Sequence, residues 1–133
     1  MSFIGKEYTL VSQENFDGFL KSIGLSDEKV AALAAFKPST KLVQNGDSYT
    51  YITQEITGPK ETTFKSGVEF SDEIGPEKTP IKTTFVVEGN TVTQTVKADK
   101  GTAVFKKVYN GDDLVVTITA DAFDGVSTRY YKA

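Results

Sequence analysis

The chain has 133 residues, of which 38% are hydrophobic and 25% charged, and its net charge is −3 with no Cys, Trp or His. One domain spanning residues 1–133 suits this length, and the absence of Lys/Arg clusters argues against a nucleic-acid partner. Without Cys or His, the sequence lacks thiolate chemistry, the commonest general base and the commonest zinc ligands. We therefore expect no metal and no cofactor.

The start of the chain and its apolar runs bear on location. Met1-Ser2-Phe3 leads directly into a strand-like pattern without an apolar signal segment. No apolar run is long enough to span a bilayer, and the lack of Cys fits a reducing compartment. These features predict a soluble, cytoplasmic protein.

A first strand and two short helices are predicted before Pro38. Lys6–Val11 alternates as a strand does. The next stretch has an apolar stripe at helical spacing, made of Phe16, Phe19, Leu20 and Ile23. Gly24 follows as a helix-terminating residue, and Ser26 can cap a second helix whose apolar face contains Val30 and Leu33.

After Pro38 the pattern has period two, interrupted by turns such as Asn45-Gly46 and Asn110-Gly111. The predicted strands are Thr40–Gln44, Tyr49–Ile56, Thr62–Lys65, Val68–Phe70, Ile81–Glu88, Thr91–Lys97, Thr102–Tyr109, Leu114–Thr119 and Val126–Lys132. With the first strand this gives about ten short strands, which is typical of an antiparallel sandwich or barrel. The helix pair is large enough to cover one end of a barrel.

Several of these strands have no purely apolar face. Tyr51, Gln94 and Lys106 each lie among aliphatic neighbours in their strands. A dry core would not tolerate this mixture, whereas an interior that holds water and a polar-headed ligand would. The pattern therefore favours a ligand-enclosing barrel over a dry sandwich.

The last strand places Ser127, Arg129 and Tyr131 on one face, because side chains alternate along a strand. If this face is exposed, Arg129 is an ordinary surface charge. If it faces the interior, Arg129 requires a buried anion, since an unpaired buried charge is too costly. That anion is either a ligand or an internal carboxylate such as Glu55.

The sequence resembles the intracellular fatty-acid-binding proteins, and within them the muscle-type and insect branch. The matching segments occur in order along nearly the whole chain: Gly5–Leu10, Asn15–Leu20, Lys37–Thr40, Asn45–Asp47, Phe64–Phe70 and Thr128–Tyr131. The resemblance implies an all-β fold, a ten-stranded antiparallel up-and-down barrel with a helix-turn-helix lid between its first two strands. It further implies a monomeric cytosolic carrier of long-chain fatty acids, with transient membrane contact during ligand transfer and no enzymatic activity.

The resemblance also assigns the ligand carboxylate to Arg129 and Tyr131, with Lys106 as a second cation that reaches either the ligand or solvent. The candidate residues of the cavity and lid are Phe16, Leu20, Ile23, Val30, Leu33, Thr40, Tyr51, Thr53, Gln94, Val116 and Ile118. The alternatives are a retinoic-acid carrier of the same fold, an isomerase that uses Tyr131 as an acid, and a scaffold with a dry core.

Overall fold

The computed structural model describes residues 3–22, 24–55, 58–74, 79–99, 101–121 and 123–133. Within them, ten antiparallel strands form one sheet, and two helices lie between the first two strands. The strands are β1 (Glu7–Glu14), β2 (Ser39–Asn45), β3 (Ser48–Glu55), β4 (Gly58–Lys65), β5 (Phe70–Ile74), β6 (Thr79–Glu88), β7 (Thr91–Ala98), β8 (Gly101–Asn110), β9 (Asp113–Ala120) and β10 (Phe123–Lys132). The helices are α1 (Phe16–Ser22) and α2 (Asp27–Ala35). The fold predicted from the sequence is confirmed.

The first and last strands of the chain pair, which joins the two halves of the sheet. Its order is β4-β3-β2-β1-β10-β9-β8-β7-β6-β5, and apart from β1 and β10 all paired strands are consecutive in sequence. β4 and β5 are the two edges of the sheet, and a side chain crosses between them. Lys60 Nζ lies 3.2 Å from Asp72 Oδ2 and also donates to the carbonyl oxygen of Glu73. The result is a nearly closed barrel.

The helix signals predicted from the sequence are present. Gly24 has φ of 89°, a left-handed conformation that favours glycine at the end of α1. The Ser26 hydroxyl accepts a hydrogen bond from the Lys29 backbone N–H and caps α2. Neither helix of the described residues is long and apolar enough to cross a membrane.

Several strand boundaries differ from the sequence prediction. β1 continues to Glu14 and not only to Val11, β4 begins at Gly58 rather than Thr62, and β10 begins at Phe123 rather than Val126. The strand predicted at Val68–Phe70 is β5, which begins at Phe70 and ends at Ile74. In place of a strand start, Gly67 has a positive φ and the Val68 N–H bonds back to the Lys65 carbonyl, which is a turn. Ile23 and Ile56 lie outside the described residues. The sequence also predicts a loop at 75–80, of which residues 75–78 lie outside the described residues, whereas Thr79 and Pro80 belong to β6.

A bulge in β1 changes which residues face inward. The pairing of β1 with β10 shifts between Leu10 and Ser12. Before the bulge, Tyr8 and Leu10 are buried, whereas Val11 is 50% exposed. After it, Gln13 is half-buried and pairs with Arg129 of β10. One extra residue thus turns the end of β1 so that Gln13 faces the interior.

Aromatic side chains fill much of the barrel. Under α1, Phe19 meets Phe105 and Phe123 edge to face, with centroids 5.9 and 5.8 Å apart. Near the β4–β5 opening, the rings of Phe64 and Phe85 stack at 4.3 Å. Such aromatic packing lowers the local dielectric constant around nearby polar side chains, which strengthens electrostatic interactions there.

Candidate functional site

Two cations are placed in the interior by strand register. Arg129 of β10 and Lys107 of β8 both pair with Val116 of the intervening β9. Directly opposite residues share a face, so all three side chains point the same way, and Val116 is buried. Two strand spacings separate the Cα atoms of Arg129 and Lys107 by roughly 10 Å. Both long side chains can therefore reach one shared volume.

The structure corrects the assignment of Lys106. The inward face of β8 contains Phe105, Lys107 and Tyr109, and Lys106 is exposed on the outer face. Both faces of this strand contain a lysine among apolar residues, so alternation alone does not show which face points inward. The packing of Phe105 against Phe19 fixes it. The interior cation on β8 is Lys107.

Arg129 is held between polar and aromatic neighbours. Its Nε donates to Gln13 Oε1 at 3.0 Å. Its guanidinium carbon lies 3.9 Å from the centre of the Phe16 ring and 5.7 Å from that of Tyr131. Burial lowers its pKa, although an arginine stays charged in proteins. The helical lid therefore contacts the site directly, through Phe16.

Lys107 is the other interior cation and is only 4% exposed. Its Nζ lies 3.9 Å from the centre of the Tyr51 ring and 5.4 Å from that of Phe85. Burial, reinforced by the positive charge of Arg129, lowers the pKa of Lys107 from its usual 10.5 to about 7. The amine is thus partly neutral at physiological pH.

Two tyrosines complete the polar surface around these cations. Burial raises the pKa of Tyr131, which is 5% exposed, and that of Tyr51 to about 12 in each case. A phenol that holds its proton this tightly is suited to donating a hydrogen bond and is a poor general acid near neutral pH. This argues against an isomerase that uses Tyr131 as its acid.

One inward polar group has no described protein partner. The buried hydroxyl of Thr83 makes no hydrogen bond to another described residue. Buried polar groups in native proteins are nearly always satisfied by protein or water. This hydroxyl is therefore suited to bind water or a polar atom of a ligand.

The carboxylate expected as an alternative partner of Arg129 is engaged elsewhere. Glu55 Oε2 accepts a hydrogen bond from Thr53 Oγ1 at 3.3 Å. The ion pairs among the described residues are Lys6–Asp112, Lys60–Asp72, Lys65–Asp47, Lys97–Glu69 and Lys132–Asp113. None of these pairs includes Arg129 or Lys107. The interior thus presents two cations without a described counter-anion, an arrangement suited to an anionic ligand.

The other sequence candidates have varied surroundings. Those that are buried are Phe16, Leu20, Val30, Thr40, Val116 and Ile118, and those that are half-buried are Leu33, Tyr51, Thr53 and Gln94. Ile23 lies outside the described residues. No cluster of three potential metal ligands occurs in the described ranges.

Sequence reasoning did not find Gln13, Thr83 or Lys107. Gln13 depends on a bulge that alternation does not reveal, and Thr83 lies in a strand whose inward face was not assigned. For Lys107 a signal existed, since Phe105 and Tyr109 flank it at spacing two on the more aromatic face of β8. Weighting aromatic residues as inward would have selected that face.

Comparison with known proteins identifies the relatives of this fold. The sequence model of the lipocalin / cytosolic fatty-acid binding protein family matches residues 1–130. "Fatty acid-binding protein 2" of Manduca sexta is 58% identical over the full length of both chains. The solved structure of a fatty-acid-binding protein isolated from Manduca sexta has a TM-score of 0.94 at 57% identity and covers 99% of this chain and 100% of its own.

A more distant structure contains a ligand. It is a Schistosoma mansoni fatty acid binding protein in complex with arachidonic acid. The likeness has a TM-score of 0.89 at 26% identity and covers 98% of this chain and 95% of that one. Barrel architecture is therefore shared with relatives whose names specify fatty acids.

Proposed function

Since this chain belongs to the lipocalin / cytosolic fatty-acid binding protein family, we propose that it binds long-chain fatty acids non-covalently inside the barrel and carries them through the cytoplasm. The observation that carries the proposal is the pair of interior cations, Arg129 and Lys107, without a described counter-anion. A fatty acid supplies one carboxylate for them and an apolar chain for the surrounding aromatic and aliphatic groups. The family is one of binding proteins and not of enzymes.

In this proposal Arg129 is the main anchor of the carboxylate. Its planar guanidinium has N–H donors beyond the Nε that serves Gln13, and these match the geometry of a carboxylate. The Tyr131 hydroxyl adds a neutral donor on the same face. Lys107 replaces Lys106 as the second cation and contributes a point charge from the neighbouring side of Val116.

The remaining parts of the proposal concern the lid and the assembly. Phe16 covers the guanidinium of Arg129, so we expect the Phe16 side chain and α1 to shift when a carboxylate reaches that group, and transient contact with a membrane to favour this step. We expect the carrier to act as a monomer. A retinoic-acid carrier is the second candidate, because the same cations would hold its carboxylate.

Matched ligands that differ only in head group test the carboxylate preference. Palmitate is expected to bind at least tenfold more tightly than methyl palmitate, because a hydrogen bond to a charged group contributes about 1.5–3 kcal/mol. Titration calorimetry of the delipidated protein with both ligands gives the two affinities. The affinity for retinoic acid, measured in the same way, shows whether this ligand or palmitate binds more tightly. Equal affinity for acid and ester would exclude the interior cations as the anchor.

Binding is also expected to take up a proton, and Lys107 is the reason. In the ligand-free protein the pKa of the Lys107 amine is about 7. A ligand carboxylate next to the amine raises this pKa. At a pH between the two values, the amine is neutral in the free protein and protonated in the complex, so binding takes up a proton. The groups facing Lys107 do not titrate in this range: Arg129 stays charged, and the pKa values of Tyr51 and Tyr131 are raised to about 12.

The number of protons follows from calorimetry in buffers of different ionisation enthalpy. We expect nearly one proton per palmitate at about pH 8.5 and almost none at about pH 5.5, where the free amine is already protonated. Lys107→Met is expected to abolish the uptake, and Lys106→Met, on the exposed face of the same strand, to leave it intact. Equal uptake in all three proteins would assign the proton to another group.

A further inference from the structure

The environment of Lys107 matches that of a reactive amine more closely than that of a simple counter-charge. It is 4% exposed, its Nζ lies over the Tyr51 ring at 3.9 Å, and no described residue forms an ion pair with it. A desolvated lysine next to another cation is the setting in which amines become nucleophiles toward carbonyl carbons. By contrast, Lys106, one residue earlier, has its amine in solvent.

We propose that Lys107 is a covalent capture site for long-chain aliphatic aldehydes, which it binds as an imine inside the barrel. The inference rests on the proposed function in one respect, that the interior accepts an acyl chain. It goes beyond that function because the aldehyde head has no charge for Arg129 to bind, and a bond to Nζ takes the place of the ion pair.

The chemistry needs no co-reactant. The Nζ lone pair attacks the aldehyde carbon, the N–C bond forms, and the carbonyl oxygen accepts one proton from nitrogen. The second N–H proton then leaves with the hydroxyl group as water while the C=N bond forms. One amine and one aldehyde thus give one imine and one water, with no change of oxidation state.

Two features of the site support both formation and persistence of the imine. Burial and the charge of Arg129 lower the pKa of Lys107 to about 7, so a large fraction of the amine has a free lone pair at neutral pH, unlike an ordinary lysine. The same two causes disfavour protonation of the imine nitrogen. Because hydrolysis of an imine proceeds through its protonated form, the adduct is expected to be long-lived.

The geometry also selects the type of aldehyde. Nζ lies 3.9 Å from the centre of the Tyr51 ring and 5.4 Å from that of the Phe85 ring, so the amine is flanked by aromatic surfaces. An unbranched hydrocarbon chain fits such surroundings, whereas a polar sugar aldehyde would lose its hydration without compensation. Chain length and not reactivity alone is therefore expected to decide labelling.

The test incubates the delipidated full-length protein with dodecanal at neutral pH, stops the reaction at set times with sodium borohydride, which reduces a neutral imine to a secondary amine, and maps the adduct by mass spectrometry of peptides. We expect one dodecyl group on Lys107, appearing at least tenfold faster than on Lys106. Lys107→Met should remove this adduct, and Lys106→Met should keep it. One equivalent of palmitate should slow the labelling. The α-amino group, which is also partly neutral at this pH, is distinguished by its own peptide.

Binding of palmitate to each protein, measured on the same samples, separates this proposal from the proposed function. If palmitate binds the unmodified protein but Lys107 is labelled no faster than surface lysines, covalent capture is wrong and the carrier function stands. If palmitate does not bind, the carrier function fails.

Propanal provides the control for chain length. If propanal and dodecanal label Lys107 with equal selectivity, the barrel does not select a hydrocarbon chain, and the proposal is overturned. Peptide mapping of the labelled protein without any substitution identifies the modified lysine even if Lys107→Met folds poorly.

Discussion

Arg129→Gln is expected to weaken palmitate binding roughly ten- to a hundredfold, because a hydrogen bond to a charged group contributes about 1.5–3 kcal/mol. The substitution keeps a polar side chain next to Gln13 but removes the guanidinium that stacks on Phe16 at 3.9 Å. Titration calorimetry with palmitate gives the change in affinity, and denaturant melts of the ligand-free protein verify that the variant is folded.

Tyr131→Phe is the matched comparison for Arg129→Gln. It deletes one neutral hydroxyl from the same face of β10 and should cost about 1 kcal/mol, which is close to a fivefold loss of affinity. If Tyr131→Phe is more damaging than Arg129→Gln, the anchor is the phenol and the guanidinium is structural. If neither change weakens binding, the carboxylate lies elsewhere.

Lys107→Met is expected to raise the stability of the ligand-free protein near neutral pH and to remove a pH dependence. The pKa of Lys107 is lowered by burial to about 7 in the folded protein, whereas an unfolded lysine has a pKa of about 10.4. Between these values the unfolded chain binds one more proton than the folded one. The free energy of unfolding therefore rises with pH by up to about 1.4 kcal/mol per unit.

The contact of the Lys107 amine with the Tyr51 ring opposes this effect only in part. A cation–π contact contributes about 0.5–2 kcal/mol, less than the several kcal/mol of desolvation for a buried ion. Lys107→Met retains an unbranched apolar stem and removes the titrating group. Its stability should exceed that of the unmodified protein at about pH 7, and the difference should shrink by about 2–3 kcal/mol towards pH 9.

Urea unfolding at a series of pH values, with Lys106→Met as the matched control, measures this difference. Lys106→Met removes a lysine from the exposed face of the same strand, so this variant should follow the unmodified protein. A stability difference between Lys107→Met and the unmodified protein that stays constant from pH 7 to pH 9 would contradict the lowered pKa of Lys107. A large loss of stability at every pH would show that Lys107 has a structural partner.

The order of helices and strands could be predicted from the sequence because it is set by local signals. Gly24 and Ser26 mark the turn between the helices, and Asn45-Gly46 and Asn110-Gly111 connect paired strands. Ser127, Arg129 and Tyr131 were placed on one face, and Ser127 and Tyr131 are indeed buried there with Arg129 half-buried between them. These features depend on neighbours along the chain, which alternation and turn chemistry describe.

The parts of the site that sequence could not fix depend on contacts distant along the chain. The inward face of β8 is decided by packing under α1, which separates Lys107 from Lys106. Gln13 reaches Arg129 only because of the bulge between Leu10 and Ser12. The stacking of Phe16 on Arg129 joins the lid to the last strand. Such relations arise from register and packing and have no local signature.

The most direct test of the interior anchor is a crystal structure of the palmitate complex. We expect the carboxylate oxygens to lie about 3 Å from the Arg129 guanidinium, with the Tyr131 hydroxyl and Lys107 Nζ next in range and the chain extending among the aromatic rings. The competing location is the surface groove of about 280 Å³ near the β4–β5 opening, lined by Ser48, Thr63, Phe64, Lys65, Val68 and Phe70. A carboxylate bound there, beside the exposed Lys65, would contradict an interior anchor.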